Sequence, residues 1–391
     1  MISEKIKAGI QTYSEELTAI RRKLHSEPEL SWEEFETTNF VCEYLDQLGI
    51  FYRRAEPTGV IATIEGGKPG KTVALRGDMD ALSVEELNKD LEYASKFEGK
   101  MHACGHDSHT AMLLIAAKVL NENKADLPGN VRLLFQPAEE VAEGAKAFVK
   151  QGAVDGVDNV FGIHIWSQMP TGKVSCTPGP SFASADLFKV TFKGKGGHGA
   201  MPHACIDAAL VASSFVMNVQ TVVSRTIDAQ QPAVLTIGKM VVGTRFNVIA
   251  ENAVIEGTVR CFDPKVRDHI ETQLKHYAEQ VAAIYGATAI VEYTRGTKAV
   301  INDEYSANLA QKVITEAFGG DAVFNEKPTM GGEDFSDYFE KAPGSFALVG
   351  SGNPEKDTQW AHHHGRFNID EDALVIGAEL YAQYAWSYLN E

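Results

Sequence analysis

Three histidines, a cysteine and an aspartate fall between His102 and His109, in the stretch MHACGHDSHT (101–110). Cys104 and His106 flank Gly105. Two positions apart, they cannot share a helix face, but a tight turn through glycine lets them converge. Thiolate and imidazole together suit zinc and other first-row metals. A structural cysteine beside unrelated histidines is the alternative, and this stretch alone does not separate the two.

Four further segments carry residues of the same chemistry. LFQPAEE (134–140) ends a buried-strand pattern with adjacent carboxylates, Glu139 and Glu140. Neighbours in an extended turn point in different directions. One can therefore bind a metal while the other faces a substrate as a base; an acidic helix start is the plainer reading. GIHIW (162–166) buries His164 in an apolar strand, where a satisfied core histidine is the common case. AHHHGRF (361–367) is a short histidine tract, a metal site or a surface feature. RGDMDAL (76–82) places two aspartates after a strand, a frequent location of site residues in α/β folds. Chance clustering explains each segment separately far better than it explains all five together.

These groups need a scaffold, and the patterning supplies one. Thr37–Leu48 has helical periodicity and stops at Gly49. TVALRGD (72–78), NVRLLFQ (130–136) and NVFGIHIW (159–166) read as strands. Asp107 or Ser108 is expected to cap a helix through Ala111–Leu120, and Glu140–Gln151 reads as a short helix. This alternation predicts an α/β layer with a largely parallel sheet. Residues 184–296 differ. Strands at 186–193, 233–242, 253–262 and 287–294, with helices from Asp207 to about Arg225 and from Asp263 to Gly286, give the order βαββαβ. Helix and strand alternate again afterwards, ending in a helix at about 370–389. The five metal-type segments all lie outside 184–296. The expected organisation is therefore a discontinuous α/β metal-binding catalytic domain (1–183 and 297–391) with a mixed, largely parallel sheet, interrupted by an α+β, ferredoxin-like domain (184–296).

Composition narrows the function classes. The chain has 391 residues, 44% hydrophobic and 23% charged, with a net charge of −17. That acidity disfavours nucleic acid and anionic membrane as partners, and no apolar run is long enough to span a bilayer. The N-terminal stretch has neither an apolar core nor a small-residue cleavage site. Five dispersed cysteines (Cys42, Cys104, Cys176, Cys205, Cys261) do not form a disulfide framework. Together these predict a cytoplasmic protein.

The motifs in order resemble those of the M20 metallopeptidase family, specifically its amidohydrolase branch of aminoacylases, hippurate hydrolases and auxin-conjugate hydrolases. The resemblance rests on LHSEPELSWEE (24–34), RGDMDAL, MHACGHDSHT, FQPAEE, GIH, KGKGGHGAMPH (193–203), RFNVIAENA (245–253), GTVR (257–260), MGGEDFS (330–336) and HHGRFNIDE (363–371), and spans nearly the whole chain. Ser83, Ala250 and Gly365 stand where the branch usually has proline.

The resemblance implies hydrolysis of the amide bond of N-acyl amino acids; a dipeptidase or carboxypeptidase on the same scaffold is the alternative. It implies two divalent metal ions per subunit (manganese or zinc, with cobalt or nickel admissible), held by Cys104, His106, Glu140, His164 and His363. His362 and His364 are alternatives to His363. Glu139 would be the general base and Asp80 the acid that orients the metal site. The 184–296 domain would be a lid and homodimerisation domain. Its His198 would stabilise the oxyanion, Asn247 and Arg260 would hold the substrate carboxylate, and Gly331 and Gly332 would let the backbone approach the substrate.

Overall fold

The computed structural model describes residues 2–391, and the chain divides into two compact units. The first comprises residues 1–181, 301–327 and 334–391; the second comprises 182–300 and 328–333. The sequence pattern places 328–333 with the outer segments. The structure groups them with the inner unit, because the amide of Ala183 donates to the carbonyls of both Thr329 and Gly331.

The first unit is built on a seven-stranded sheet. Its strands are β1 (Phe51–Arg54), β2 (Val60–Glu65), β3 (Lys68–Asp78), β4 (Pro128–Gln136), β5 (Asn159–Pro170), β6 (Val174–Ser175) and β15 (Gly344–Gly352), in the order β1-β2-β4-β3-β5-β15-β6. The four central strands are parallel and the edge pairs antiparallel, so the sheet is mixed and largely parallel. β7 (Gly179–Phe182) and β14 (Val300–Asn302) carry the chain from one unit to the other. Around the sheet lie helices α1 (Ile2–Thr12), α2 (Ser14–Ser26), α3 (Phe35–Leu48), α4 (His106–Glu122), α5 (Gly144–Lys150), α8 (Glu304–Phe318) and α9 (Asp372–Leu389). α3 ends as its sequence demands, with Gly49 left-handed at φ 63°.

α4 is the central helix. It packs on α2, α9 and β3 and is buried on almost every side, so its apolar residues form no stripe. It begins at His106, earlier than the expected cap at Asp107 or Ser108. Gly105, at φ 92°, supplies the turn, and one oxygen of the Asp107 carboxylate is taken by Arg21 and His25. α5 likewise begins at Gly144, not Glu140. Residues 138–143 form a turn in which Ala138 (φ 55°) and Ala142 (φ 58°) are left-handed, and that interrupts a helix there.

The second unit contains a four-stranded antiparallel sheet, β8 (Ser184–Lys193), β10 (Ala233–Val242), β12 (Asn252–Cys261) and β13 (Thr288–Arg295), ordered β10-β12-β8-β13. Helices α6 (Ala208–Thr226) and α7 (Pro264–Ile284) pack on it, completing βαββαβ. Asp207 and Asp263 cap the two helices through their side chains. Phe188, Val190 and Phe192, the apolar face read from the alternation, are buried with Val211, Phe215 and Leu274. A short ladder joins β9 (Gly197–His198) to β11 (Val248–Ile249).

The position of Gly162 in β5 is set by packing. A Cβ there would lie 2.6 Å from the Phe346 ring and 2.7 Å from that of Phe335. Gly162→Ala should therefore destabilise the protein by about 1–3 kcal/mol, the usual cost of overfilling a packed core. Urea unfolding of the metal-free protein measures this; an unchanged midpoint would show that the two rings move aside freely.

Candidate metal centre

The carboxyl ends of the parallel strands are where α/β sheets place their sites. Here β3 runs into Asp78 and Asp80, β4 into Glu139 and Glu140, and β5 carries His164. Cys104, Gly105 and His106 turn into α4. Cys104 Sγ, a His106 ring nitrogen and a Glu140 oxygen all lie within 4.8 Å of one another, and Cys104 Sγ is 3.5 Å from His164 Nε2.

Asp80 sets this geometry. One of its oxygens accepts from His106 Nδ1 (3.2 Å) and the Glu139 amide (3.1 Å). The other accepts from the Glu140 amide (3.0 Å) and Ser31 Oγ (2.7 Å). With Nδ1 donating to Asp80, His106 turns Nε2 toward Glu140, 3.8 Å away. His106 Nε2 and Glu140 Oε1 are both buried, and neither has a hydrogen-bond partner among the described residues. Orphaned buried polar atoms are costly. A nitrogen, a carboxylate oxygen and a sulfur orphaned or loosely paired together suit a cation. The site's electrostatics agree. Burial raises the Cys104 thiol well above its usual range and pushes Glu140 up to about 7, and it holds His164 well below the usual imidazole value. Burial opposes the charge on His106 and Asp80 as well. Asp78 and Asp80 nonetheless raise His106, while its hydrogen bond keeps Asp80 low. A divalent ion would compensate the thiolate and carboxylate.

The histidine tract separates its three members. His364 stacks on Trp360 at 4.7 Å and is exposed. His362 reaches the centre, with Nδ1 3.9 Å from Cys104 Sγ. Its other nitrogen faces the Ser167 amide at 3.3 Å and must accept that proton. Burial keeps the ring neutral, its pKa lowered to about 3, so the one ring proton sits on Nδ1, facing the sulfur. His362 thus donates toward Cys104 and offers it no lone pair. His363, left-handed at φ 67°, brings Nε2 to 3.4 Å from Glu140 Oε2.

The second unit brings two of its candidates together. His198 pairs with Val248 across β9 and β11, and the Gly199 amide donates to the Asn247 carbonyl. Both His198 and Asn247 side chains are exposed. Arg260 sits on β12 opposite Ala185, half-buried, its guanidinium without a hydrogen bond among the described residues; burial lowers its pKa. A Cβ at Gly332 would be 3.1 Å from that of Ala185, so packing inside the second unit already accounts for this glycine.

A match to the peptidase family M20/M25/M40 extends over residues 74–387. The chain belongs to this family. Among M20 relatives it is 44% identical to N-acetyl-L-cysteine deacetylase of Bacillus subtilis over 94% of this chain and 86% of that one. It is 39% identical to thermostable carboxypeptidase 1 of Saccharolobus solfataricus over 99% of each. A crystal structure from Bacillus subtilis, described as a dinuclear metal-binding peptidase of the M20 family, superposes with a TM-score of 0.86 at 35% identity, covering 97% of this chain and 99% of that one. The protein is thus a hydrolase of amide bonds, on a fold shared with a dinuclear enzyme.

One supporting residue of this M20 site escaped the sequence reading. Glu34, fully buried, accepts from Thr58 Oγ1 (2.7 Å) and from the amide of left-handed Ala138 (2.9 Å), and so holds the turn that carries Glu139 and Glu140. It lies in the quoted motif LHSEPELSWEE, but nothing local marks it from its neighbour Glu33. Burial pushes its carboxyl up to about 7 from 4.5. Between those values the folded state keeps a proton that the unfolded chain releases, so stability falls as pH rises and levels off above about 7. Glu34→Gln can still accept from the Ala138 amide through its oxygen, its NH2 can donate to Thr58 Oγ1 with that bond's direction reversed, and it does not titrate. Its stability relative to the parent should gain about 2 kcal/mol between pH 5 and pH 8 in the chelator-treated protein. A pH-independent difference in urea unfolding would refute this.

Proposed function

We propose that the protein hydrolyses the amide bond of N-acyl amino acids, releasing a carboxylic acid and a free amino acid, with two divalent ions held by Cys104, His106, Glu140, His164 and His363. The observation that carries the reading is the convergence of Cys104, His106, His164 and Glu140, two of them with orphaned buried atoms, beside Glu139 on a turn pinned by Asp80. The deacetylase relative supports an acylated substrate. The ions would supply Lewis acidity, polarising the acyl oxygen and acidifying the attacking water; sulfur and imidazole favour zinc, while the carboxylate also admits manganese, cobalt or nickel.

The protein's own residues have these roles. Asp80 holds the Glu139 and Glu140 amides, so the two carboxylates leave the turn in different directions. Glu139 takes the proton of the attacking water and passes it to the leaving amine. His362 donates its Nδ1 proton toward the Cys104 sulfur. In the second unit, proposed as lid and dimerisation domain, His198 stabilises the oxyanion. Asn247 and the Arg260 guanidinium hold the substrate carboxylate, and Gly331 and Gly332 leave room for the substrate backbone. The five cysteines are free, as in a reducing cytoplasm, and no helix among the described residues is long and apolar enough to cross a membrane. The second reading, a carboxypeptidase or dipeptidase, is favoured by the full-length match to a carboxypeptidase.

Chelation followed by zinc or manganese, with free-amine release assayed on N-acetyl, N-benzoyl and indole-acyl amino acids and on unblocked dipeptides, separates the readings. Metal-dependent release from the acylated set is expected; release from dipeptides alone transfers the protein to the peptidase reading. Glu139→Gln should retain both metals and lose about 10²–10⁴-fold in kcat; full activity would remove Glu139 from the mechanism. His363→Ala should bind one metal fewer by elemental analysis, whereas His362→Ala should retain two. The reverse pattern would make His362 the ligand.

A further inference from the structure

His109 lies in the opening motif but takes no part in the metal centre described above. It is fully buried, three residues beyond His106. Its Nδ1 meets Asp78 Oδ1 at 2.5 Å, and its Nε2 accepts the amide proton of Ile165 at 2.8 Å. An imidazole that accepts at Nε2 donates at Nδ1, so the two contacts fix one tautomer.

The Ile165 amide needs this partner. The β3–β5 ladder ends at the pair Arg76–Gly162, where β3 runs out toward Asp78. Three residues further along β5, the Ile165 N–H donates to a side chain instead of a strand, and the ring of His109 stands where the ladder stops. The backbone of the same residue holds His164. The Ile165 carbonyl accepts from His164 Nδ1 at 2.5 Å, which directs His164 Nε2 to Cys104. The His109 ring also packs edge-on against that of His164, centroids 4.6 Å apart. Behind His109, Asp78 is fixed by Arg76 Nη1 at 2.5 Å, and Arg76 is itself held by Gln136 and Asp334. All of these side chains are buried.

We propose that His109 is a positioning residue that sets the orientation of His164, and with it the affinity of the ion that His164 binds, through the backbone of Ile165. His106 Nδ1 and the Glu140 amide are held by Asp80 and not by His109, although Asp78 Oδ2 also lies 3.8 Å from His106 Nε2. The consequence is selectivity: a change at His109 weakens one of the two metal ions and leaves the other. A merely structural role would weaken both, or neither.

The proposal rests on the two-metal reading, and the test keeps the two apart. The full-length protein is stripped with chelator and titrated with Co2+, followed by equilibrium dialysis and by the visible absorption of the thiolate–cobalt chromophore. Three variants divide the interactions of His109. His109→Gln offers an amide oxygen to Ile165 in place of Nε2. His109→Asn offers a donor to Asp78 in place of Nδ1 but nothing to Ile165. His109→Leu offers neither.

The parent should bind two Co2+; fewer would overturn the two-metal reading itself. His109→Asn and His109→Leu should bind one Co2+ as the parent does and the other about 10–100-fold more weakly, the usual cost of losing a support behind a metal ligand. His109→Gln should approach the parent. If His109→Leu does not fold, the Asn and Gln variants still decide. Parent-like binding of both ions by His109→Asn, equal weakening of both ions, or a larger loss in His109→Gln than in His109→Asn would each overturn the proposal.

Discussion

The carboxylate of Asp80 gathers donors from three parts of the chain that are far apart in sequence: the loop before α3, the start of α4 and the turn after β4. Each of its oxygens accepts two hydrogen bonds. One group thereby fixes the tautomer of His106 and the backbone from which two adjacent glutamates emerge. The arrangement needs Asp80 ionised while it is fully buried, and the donors around it are what keep it so. The remaining features of the centre depend on this one. The turn at 138–143 is left-handed at two alanines, an unfavourable conformation that the Asp80 and Glu34 hydrogen bonds hold in place.

Two further buried charge networks flank the centre. Arg76 joins Asp78, Gln136 and Asp334 below the strand ends, and Arg21 joins Asp107, with His25 between Asp107 and Glu86. Burial opposes charge in both, yet the neighbouring arginine holds Asp78 and Asp107 well below the usual carboxylate range. Such networks contribute little net stability compared with apolar packing, but breaking one partner leaves an uncompensated charge. That penalty gives specificity. The segments ending β3, starting α4 and following β15 fit together in one register, which a metal centre with ligands from all of them requires.

Much of this was legible in the sequence. The parallel sheet and the βαββαβ unit follow from strand alternation, helical periodicity and glycine stops, which are local signals. The metal-type residues were legible too, because thiol, imidazole and paired carboxylates are uncommon together and five such segments recur. The sequence also determined the family, since long motifs in fixed order tolerate few alternatives.

Tertiary structure decided what each of these residues is for. The beginnings of α4 and α5 were set by a left-handed glycine, by left-handed alanines and by long-range hydrogen bonds, none visible in a local pattern. Residues 328–333 joined the second unit through backbone bonds to Ala183, across more than a hundred intervening positions. Three consecutive histidines are equivalent as a string. They differ only because the Ser167 amide meets one, Glu140 faces another and Trp360 stacks on the third. Glu34 and His109 are ordinary residues until the fold places a left-handed alanine before one and an unpaired strand amide before the other. Residue type sets which chemistry is available; the partner on the far side of each hydrogen bond sets which tautomer, charge and direction are used, and that partner is supplied only by folding.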